Sequence, residues 1–197
     1  MHIKKLKVGH AGTLDPLATG LMILCTGKAT KQIETLQMGI KEYVATIKLG
    51  ATTPSFDLET EEDSNSDYSY VTEELLIKAL KKFEGEIDQV PPIFSAVKVK
   101  GKRAFEFARN GEDLKLQPKK IVIQEIKLQE FKLPFIKINV TCSKGTYIRS
   151  LARDIGEELK CGAYLTGLRR TKIGNLKVED AMTVDFFIEN LNLFETN

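Results

Sequence analysis

Two stretches of strict alternation between apolar and polar residues set the strongest limit on the fold. Residues 43–49 read YVATIKL and residues 135–142 read FIKINVTC, and in both the apolar side chains fall on one face of an extended strand. Residues 121–131, IVIQEIKLQEF, form a third candidate strand, joined to the second near Pro134. Because a short connection joins antiparallel neighbours, the sequence predicts an antiparallel pairing of these two strands.

Helical patterns are interspersed with these strands. Residues 29–38 have helical periodicity, Thr72 is the predicted N-cap of a helix ended by Gly85, and Thr146 is the predicted N-cap of a helix closed by Gly162. The chain has no internal repeat and no linker rich in Gly or Ser. This order of elements predicts an α+β fold around one large sheet.

Three remaining segments complete the predicted organisation. Residues 21–25, LMILC, are typical of a short buried strand. Residues 51–70 are polar and acidic, which predicts a loop with little to bury. Residues 90–111 contain two adjacent prolines and many cations, and we expect them to leave the core.

Length and composition exclude several classes of protein. At 197 residues with 42% hydrophobic content, the chain is long enough for one sizeable domain. It has no apolar run near the roughly 20 residues that cross a bilayer, and no apolar segment of signal-peptide length. The sequence therefore predicts a cytoplasmic protein with no membrane association.

The cysteines and histidines are too few and too scattered for a zinc site. Cys25, Cys142 and Cys161 lie far apart without any Cys-x-x-Cys spacing, and the chain has two histidines. We expect these cysteines to be small buried thiols, and we predict no structural metal.

Charge is segregated along the chain. Residues 1–50 hold seven lysines against three acids, residues 51–90 hold eleven acids against three lysines, and residues 91–120 hold eight basic residues against three acidic ones. Basic blocks of this kind suit an anionic partner such as nucleic acid. On charge alone, a solvated charged surface explains the pattern equally well.

Residues 9–20 read GHAGTLDPLATG and form the densest cluster of special residues. Glycines gathered in this way mark backbone that turns sharply or approaches a ligand closely. Asp15 precedes Pro16, which restricts it to extended geometry. Its carboxylate could be a nucleophile, a general base, a metal ligand or a turn residue, and His10 could be a general acid or base or a structural residue.

Asp15 is the only acidic residue among the first thirty-three, and Lys4, Lys5, Lys7 and Lys28 lie around it in sequence, so a cationic partner is expected. Arg149 is our candidate, because a guanidinium binds a carboxylate bidentately and lies in the predicted first turn of a helix that follows a strand. The chain contains no Ser/His/Asp arrangement, no Walker loop and no Rossmann fingerprint. Chemistry through a phosphate-binding loop or a dinucleotide is therefore disfavoured.

Four ordered blocks carry a resemblance to a known family. GHAGTLDPLATGLMIL, KEYVATIKLGATTPSFD, PPIFSAVKVKGKRAFEFARNG and CSKGTYIRSLARDIG, with LRRTKIG after them, resemble the signature blocks of the TruB family over residues 7–174. The resemblance implies a pseudouridine synthase fold, with a large mixed, mainly antiparallel sheet flanked by helices and loops. It also implies isomerisation of uridine to pseudouridine at position 55 in the T-loop of tRNA.

The resemblance also implies roles for individual residues. Asp15 matches the aspartate that promotes cleavage of uracil from C1′, by attack on C1′, by attack on the base or by a glycal-type path. Tyr43 matches the tyrosine that stacks on the flipped uracil and acts in proton removal from C5. Arg149 matches the arginine paired with the aspartate, and Tyr147 an active-site tyrosine beside it.

The resemblance also implies that a second group of residues binds the RNA. His10 helps to hold the flipped-out RNA, and Leu168 matches an apolar contact near the base; Gly12 and Thr13 belong to the same loop. The basic segment is expected to touch phosphates through five cations: Lys98, Lys100, Lys102, Arg103 and Arg109. We expect tRNA, through its T-arm, as the partner, with no cofactor, no obligatory protein partner and a monomeric enzyme.

The resemblance implies a division of the chain. Residues 1–180 are the expected catalytic domain, with 91–119 as a mobile RNA-binding insertion, and residues 181–197 are a C-terminal tail or the remnant of an appended domain. The family's usual N-terminal block and most of its C-terminal RNA-binding domain are expected to be missing. Two other readings stay open: a tRNA-binding or tRNA-folding module without activity, and a hydrolase with Asp15 as nucleophile.

Overall fold

The structure is a computed structural model that describes residues 7–95, 97–99, 101–109, 114 and 116–190, without the side chains of residues 98, 103, 105, 108 and 109. The described strands are β1 (Val8–His10), β2 (Ala18–Gly20), β3 (Leu24–Thr26), β4 (Lys41–Leu49), β5 (Ala51–Thr52), β6 (Ser64–Asn65), β7 (Gly85–Gln89), β8 (Lys98–Val99), β9 (Lys102–Arg103), β10 (Lys119–Lys132), β11 (Phe135–Cys142), β12 (Ala163–Ile173) and β13 (Leu176–Lys177). The α-helices are α1 (Ile33–Met38), α2 (Glu73–Lys81), α3 (Ala104–Arg109), α4 (Ile148–Leu159) and α5 (Val184–Glu189).

One seven-stranded sheet organises the described part of the chain. Its strands follow the order β13-β12-β4-β11-β10-β7, and all these neighbours are antiparallel. The seventh strand, β2, pairs parallel with β12. The predicted α+β fold with a mixed, mainly antiparallel sheet is therefore confirmed, and β10 and β11 pair as the sequence predicted.

The alternating strands bury the faces that their sequences indicated. Ile47 in β4 and Ile138 in β11 have no exposed surface, and they belong to the same buried core as Leu151 and Ile155 of α4. Burial of each such side chain contributes about 1.5–3 kcal/mol to folding, so this layer fixes where α4 sits on the sheet. The three cysteines are buried and unpaired, as predicted.

Of the two predicted helix N-caps, one is confirmed and the other is wrong. Thr72 caps α2, since its hydroxyl accepts a hydrogen bond from the Leu75 amide at 3.2 Å. Thr146 does not cap α4, because its hydroxyl donates to the Ser143 carbonyl at 3.0 Å and the N-cap position falls to Tyr147. The hydroxyl of Thr146 therefore stabilises the turn after β11 and is not available to cap α4.

The predictions of a strand at residues 21–25 and of a helix at residues 29–38 need correction. The predicted strand at residues 21–25 is shorter, because only β3 (Leu24–Thr26) is extended, and the Leu21 amide instead donates to the Arg170 carbonyl at 2.8 Å. The predicted helix at residues 29–38 begins as a 3₁₀ turn over Gly27–Gln32 and becomes α only at Ile33. Neither start has a side-chain cap, so the helical signal is weak.

The acidic segment at residues 51–70 is packed more closely than its composition suggested. Thr53, Ser55 and Asp57 in its first half are buried, and the Leu165 amide of β12 donates to the Phe56 carbonyl at 2.9 Å. Residues after Glu59 are mostly exposed. The prediction of a loop with little to bury is wrong for the first half, because this half contacts a buried arginine.

Candidate active site

The glycine-rich stretch forms a loop, residues 11–17, between β1 and β2. Gly12 has a φ of 101°, a conformation that side chains rarely adopt, and the loop turns sharply at this point. At its end, a Cβ on Gly20 would lie 2.2 Å from the backbone oxygen of Arg170, so this glycine lets β2 approach β12. The glycines are thus explained by a turn and by a close strand contact.

The side chain of Arg170 fastens this loop to β12. Its Nε donates to the Leu21 carbonyl at 2.8 Å, and its terminal nitrogens donate to the carbonyls of Gly12 at 3.1 Å and Thr13 at 3.4 Å. The residue is 1% exposed, and among the described residues it has no carboxylate partner. Arg170 therefore fixes the backbone just ahead of Asp15.

The predicted ion pair between Asp15 and Arg149 is present. Arg149 Nη2 lies 2.9 Å from Asp15 Oδ1, although the two residues are 134 positions apart in sequence. The arginine side chain is 4% exposed and the aspartate side chain is 37% exposed. The pair therefore joins a buried, fixed cation to a carboxylate that substrate can reach.

Arg149 is held in place by three further oxygens. Its Nη2 also donates to the Phe94 carbonyl at 3.0 Å, and its Nη1 lies 3.5 Å from the Ser55 carbonyl and 3.4 Å from Asp57 Oδ2. Asp57 is buried, and its carboxylate places a second negative charge beside the guanidinium. This carboxylate was not predicted, although it is the last residue of the block KEYVATIKLGATTPSFD.

The turn that carries Asp57 has an unusual conformation. Phe56 has a φ of 63°, a left-handed conformation that costs a residue with a Cβ free energy. Its ring centroid lies 4.8 Å from Arg153 Cζ of α4, a favourable cation–π contact. Arg153 lies one helical turn after Arg149 in α4. The same helix therefore contacts both Phe56 and Asp57.

Tyr43, Tyr147 and Leu168 lie around Asp15. Tyr43 lies opposite Arg170 in the pairing of β4 with β12, and burial raises the pKa of its phenol. Burial also raises the pKa of Tyr147, and the Asp15 charge acts in the same direction. Gln89 fixes Tyr147 by accepting a hydrogen bond from its amide at 2.8 Å and donating to its carbonyl at 3.1 Å.

These residues surround a cavity of about 600 Å³, a size typical of small-ligand sites. The predicted residues that line it are Gly12, Thr13, Asp15, Tyr43, Tyr147, Arg149 and Leu168. Its wall also contains residues that were not predicted, among them Lys41, Phe94, Lys144 and Arg170. Arg170 could have been suspected, because it lies two residues after Leu168 and so on the same face of β12.

His10 and Lys102 are not part of the cavity wall. His10 is exposed in β1, opposite Leu24, and does not line the cavity wall. Lys102 in β9 is exposed and is not part of the wall either. Lys100, and the side chains of Lys98, Arg103 and Arg109, lie outside the described residues. Their predicted RNA contacts remain predictions.

No group of three His, Cys, Asp or Glu side chains in the described ranges is arranged to hold a metal ion. No helix in the part of the chain that the structure covers is long and apolar enough to span a bilayer.

The comparisons with known proteins identify the class and then the family. Residues 1–148 match the family model described as the N-terminal domain of TruB family pseudouridylate synthase, and residues 149–196 match the tRNA pseudouridylate synthase B C-terminal domain. The fold is thus that of pseudouridylate synthases. The chain belongs to the TruB family, as the resemblance of its sequence blocks predicted.

Curated relatives are similar over almost the whole chain. The tRNA pseudouridine synthase B of Phocaeicola vulgatus is 60% identical over 190 residues, which are 96% of this chain and 81% of the relative. The tRNA pseudouridine synthase B of Bacteroides fragilis is 62% identical over 189 residues, with the same coverage of 96% and 81%.

Solved structures share the fold. A chain of the crystal structure of a Cbf5-Nop10-Gar1 complex superimposes with a TM-score of 0.73 at 30% identity, covering 96% of this chain and 47% of that one. A chain of an H/ACA RNP bound to a substrate RNA containing 2′-deoxyuridine gives a TM-score of 0.69 at 27% identity, covering 96% and 46%. This chain therefore spans less than half the length of either structural neighbour.

Proposed function

We propose that this chain isomerises uridine to pseudouridine in tRNA, at position 55 of the T-loop, and that it acts as a monomer on the T-arm. Family membership and the printed names of the curated relatives support the reaction and the class of substrate. The observation that carries the proposal is the 2.9 Å ion pair between Asp15 and Arg149 in the wall of the 600 Å³ cavity.

The ion pair gives Asp15 the two properties that this reaction requires. The N1–C1′ bond must break and a C5–C1′ bond must form, so a carboxylate has to stand at a defined position next to the nucleoside. Arg149 supplies the position, because it is buried and held by four oxygens. The partial exposure of Asp15 leaves the carboxylate accessible to the nucleoside.

The cavity also offers a surface for the extruded base. Flipping a nucleotide out of its stack costs a few kcal/mol, and stacking on an aromatic ring returns about 1–3 kcal/mol per base. Tyr43 and Leu168 line the same cavity as Asp15 and come from neighbouring strands. We assign the face of the uracil to Tyr43 and an edge contact to Leu168, with Gly12 and Thr13 of the loop beside them.

The protons balance within the substrate. After the base has turned and rejoined through C5, the hydrogen on C5 has to leave and N1 has to gain one, so no cofactor is consumed. Burial raises the pKa of Tyr43, so its hydroxyl is protonated at neutral pH. We assign to it the removal of the C5 proton: the phenol oxygen accepts this proton as its own proton passes to solvent, and N1 takes up one proton from solvent, so that the count balances. Tyr147 lies beside the ion pair in the same cavity.

The proposal assigns a role to each segment of the chain. Residues 1–180 form the catalytic domain, residues 91–119 bind RNA as an insertion, and residues 181–197 form a tail. The charge pattern supports the RNA-binding part, since residues 91–120 carry eight basic residues against three acidic ones. In this proposal the cations of the insertion contact RNA, and His10, which is not part of the cavity wall, does so as well.

The experiment is tritium release from an unmodified tRNA transcript labelled at C5 of uridine. We expect release by the chain, no release by Asp15→Asn, and unchanged release by the exposed control Asp180→Asn. A product analysis by nuclease digestion has to show pseudouridine. Tight tRNA binding without release would replace the proposal with a non-catalytic RNA-binding module, and free uracil in place of pseudouridine would replace it with a hydrolase.

A further inference from the structure

Two lysines from different elements meet at the end of α1. Lys41 Nζ donates to the Gly39 carbonyl at 2.6 Å and also to the Gln37 carbonyl. Lys144 Nζ, from the turn between β11 and α4, lies 3.8 Å from Met38 Sδ. Both ammonium groups therefore reach the same few residues, and both lysines line the cavity that contains Asp15.

This pair of cations has no counter-charge in the described part of the chain. None of the ion pairs among the described residues includes Lys41 or Lys144. Lys41 is buried, and burial lowers its pKa, while the charges of Arg170 and Lys144 act in the same direction. Two neighbouring ammonium groups that form no ion pair with a carboxylate attract an anion.

The lysines lie next to the place assigned to the target base. Lys41 and Tyr43 are two residues apart in β4, so their side chains leave the same face of the strand with Cα atoms about 7 Å apart. Tyr43 is the stacking partner of the uracil in the proposed function. An anion held by Lys41 and Lys144 would therefore be close to the target nucleotide without occupying the position of its base.

We propose that Lys41 and Lys144 form a subsite for an RNA backbone phosphate that flanks the target uridine. The subsite rests on the proposed function, and it adds the place where the substrate strand is held while the base is extruded. An ammonium group has three donors, and Lys41 uses two of them on carbonyls of the described chain, which leaves one for a phosphate oxygen. Lys144 is the more exposed partner and supplies the direct contact.

The chemistry of base flipping favours a phosphate at this point. Extrusion of a nucleotide rotates it about its own backbone linkages, so these linkages move with the base toward the enzyme. Each phosphate that a lysine neutralises also releases a counterion, which favours binding. The subsite therefore stabilises the complex in which the uridine has left its stack.

The test is a double-mutant cycle between the protein and the RNA. The probes are a T-arm stem-loop and two versions with one neutral methylphosphonate linkage, either 5′ or 3′ of the target uridine. The protein is the full chain or Lys144→Gln, with Lys78→Gln, an exposed lysine of α2, as the matched control. Lys144 is changed because Lys41 also holds the end of α1, so its loss could disturb the fold.

We expect Lys144→Gln to weaken binding about tenfold, the size typical of a hydrogen bond between charged groups. One of the two methylphosphonates should weaken binding to the unaltered chain by a similar factor and should have no further effect on Lys144→Gln. Lys78→Gln should keep the full methylphosphonate effect. Fully additive losses for both linkages would overturn the subsite.

Two further readouts separate the alternatives. If inorganic phosphate competes with RNA through Lys144 while neither methylphosphonate matters, the site binds free phosphate and the assignment to the RNA backbone is wrong. The cycle measures binding and uses no product. A coupled cycle without tritium release would retain the subsite and reject the proposed isomerisation, whereas release with an additive cycle would do the reverse.

Discussion

Arg149 and Arg170 are two buried arginines on either side of the loop at residues 11–17, and they bind different parts of it. Arg149 contacts the carboxylate of Asp15 and, on its other side, that of Asp57. Arg170 contacts main-chain carbonyls, one methionine sulfur and the Tyr43 hydroxyl, and it forms no ion pair with a carboxylate among the described residues. Arg149 therefore pairs with the charged side chain of the loop, whereas Arg170 fixes the backbone of the loop.

The difference predicts different consequences of removing each guanidinium. Without Arg149, Asp57 would remain as a buried charge with no cation beside it, a situation that proteins tolerate poorly. Without Arg170, the carbonyls of Gly12 and Leu21 would lose hydrogen bonds, but no charge would be left behind. The arginine with carboxylate partners should therefore matter more for both stability and activity.

The largest effect is expected for Arg149→Met. The free energy of unfolding should fall by about 3–5 kcal/mol, because a buried carboxylate loses its partner. Pseudouridine formation should be lost as well, since Asp15 is no longer oriented. Urea unfolding and tritium release measure the two effects, and a variant with unchanged stability would show that Asp57 does not depend on Arg149.

Arg170→Met is expected to be milder. Loss of the carbonyl contacts should lower the free energy of unfolding by about 1–3 kcal/mol, the cost of buried acceptors left without a donor. Single-turnover tritium release should slow, because the loop ahead of Asp15 is less fixed, while tRNA affinity changes little. Arg169→Met, an exposed neighbour in β12, is the control. A loss larger than that of Arg149→Met would reverse the comparison.

A partial rescue sharpens the comparison further. In the Arg149→Met background, Asp57→Asn should regain about 1–3 kcal/mol, because it removes the uncompensated charge that the first change created. The same Asp57→Asn change should regain nothing with Arg170→Met. Equal urea midpoints for the Arg149→Met protein with and without Asp57→Asn would contradict the assigned charge balance.

The smallest expected effect concerns the phenol of Tyr43. Burial is the main cause of its raised pKa, and the guanidinium of Arg170 opposes that rise. Arg170→Met should therefore raise this pKa further. Because the folded-state pKa is above the unfolded one, the contribution of Tyr43 to stability is complete below pH 10 and is lost as pH rises through the folded value.

Ultraviolet titration of tyrosinate, with the Tyr43→Phe signal subtracted, measures this shift. The midpoint for Tyr43 should lie above 10 in the unaltered chain and higher in Arg170→Met. A lower midpoint in the variant would show that Arg170 does not act on the phenol.

Patterns that repeat along the chain were predictable, and contacts between distant segments were less so. The alternation in β4 and β11 predicted the sheet, because a strand that buries one face has an apolar side chain at every second residue. Asp15 and Arg149 could be paired because a guanidinium binds a carboxylate bidentately. Asp57 was missed because its acidic neighbours are solvated, and nothing in its own segment indicates that a helix lies above it.

The short strand at residues 21–25 was misjudged for a related reason. Its apolar residues suggested sheet pairing, but the Leu21 amide and carbonyl are both used by Arg170. A parallel contact between β2 and β12 joins segments about 150 residues apart, and local periodicity does not reveal such a pairing. The resemblance to the TruB family supplied the residues of the site, whereas their support came only from the structure.

The separation of Asp15 and Arg149 by 134 positions has a consequence for biosynthesis. At the usual rate of about 5–20 residues per second, the loop leaves the ribosome roughly 7–27 s before its guanidinium partner. Strand β12, which anchors the loop through Arg170, is made later still. A nascent chain that ends before α4 therefore has the glycine-rich loop without either arginine, and one that ends between α4 and β12 still lacks Arg170. Both should be unable to modify tRNA.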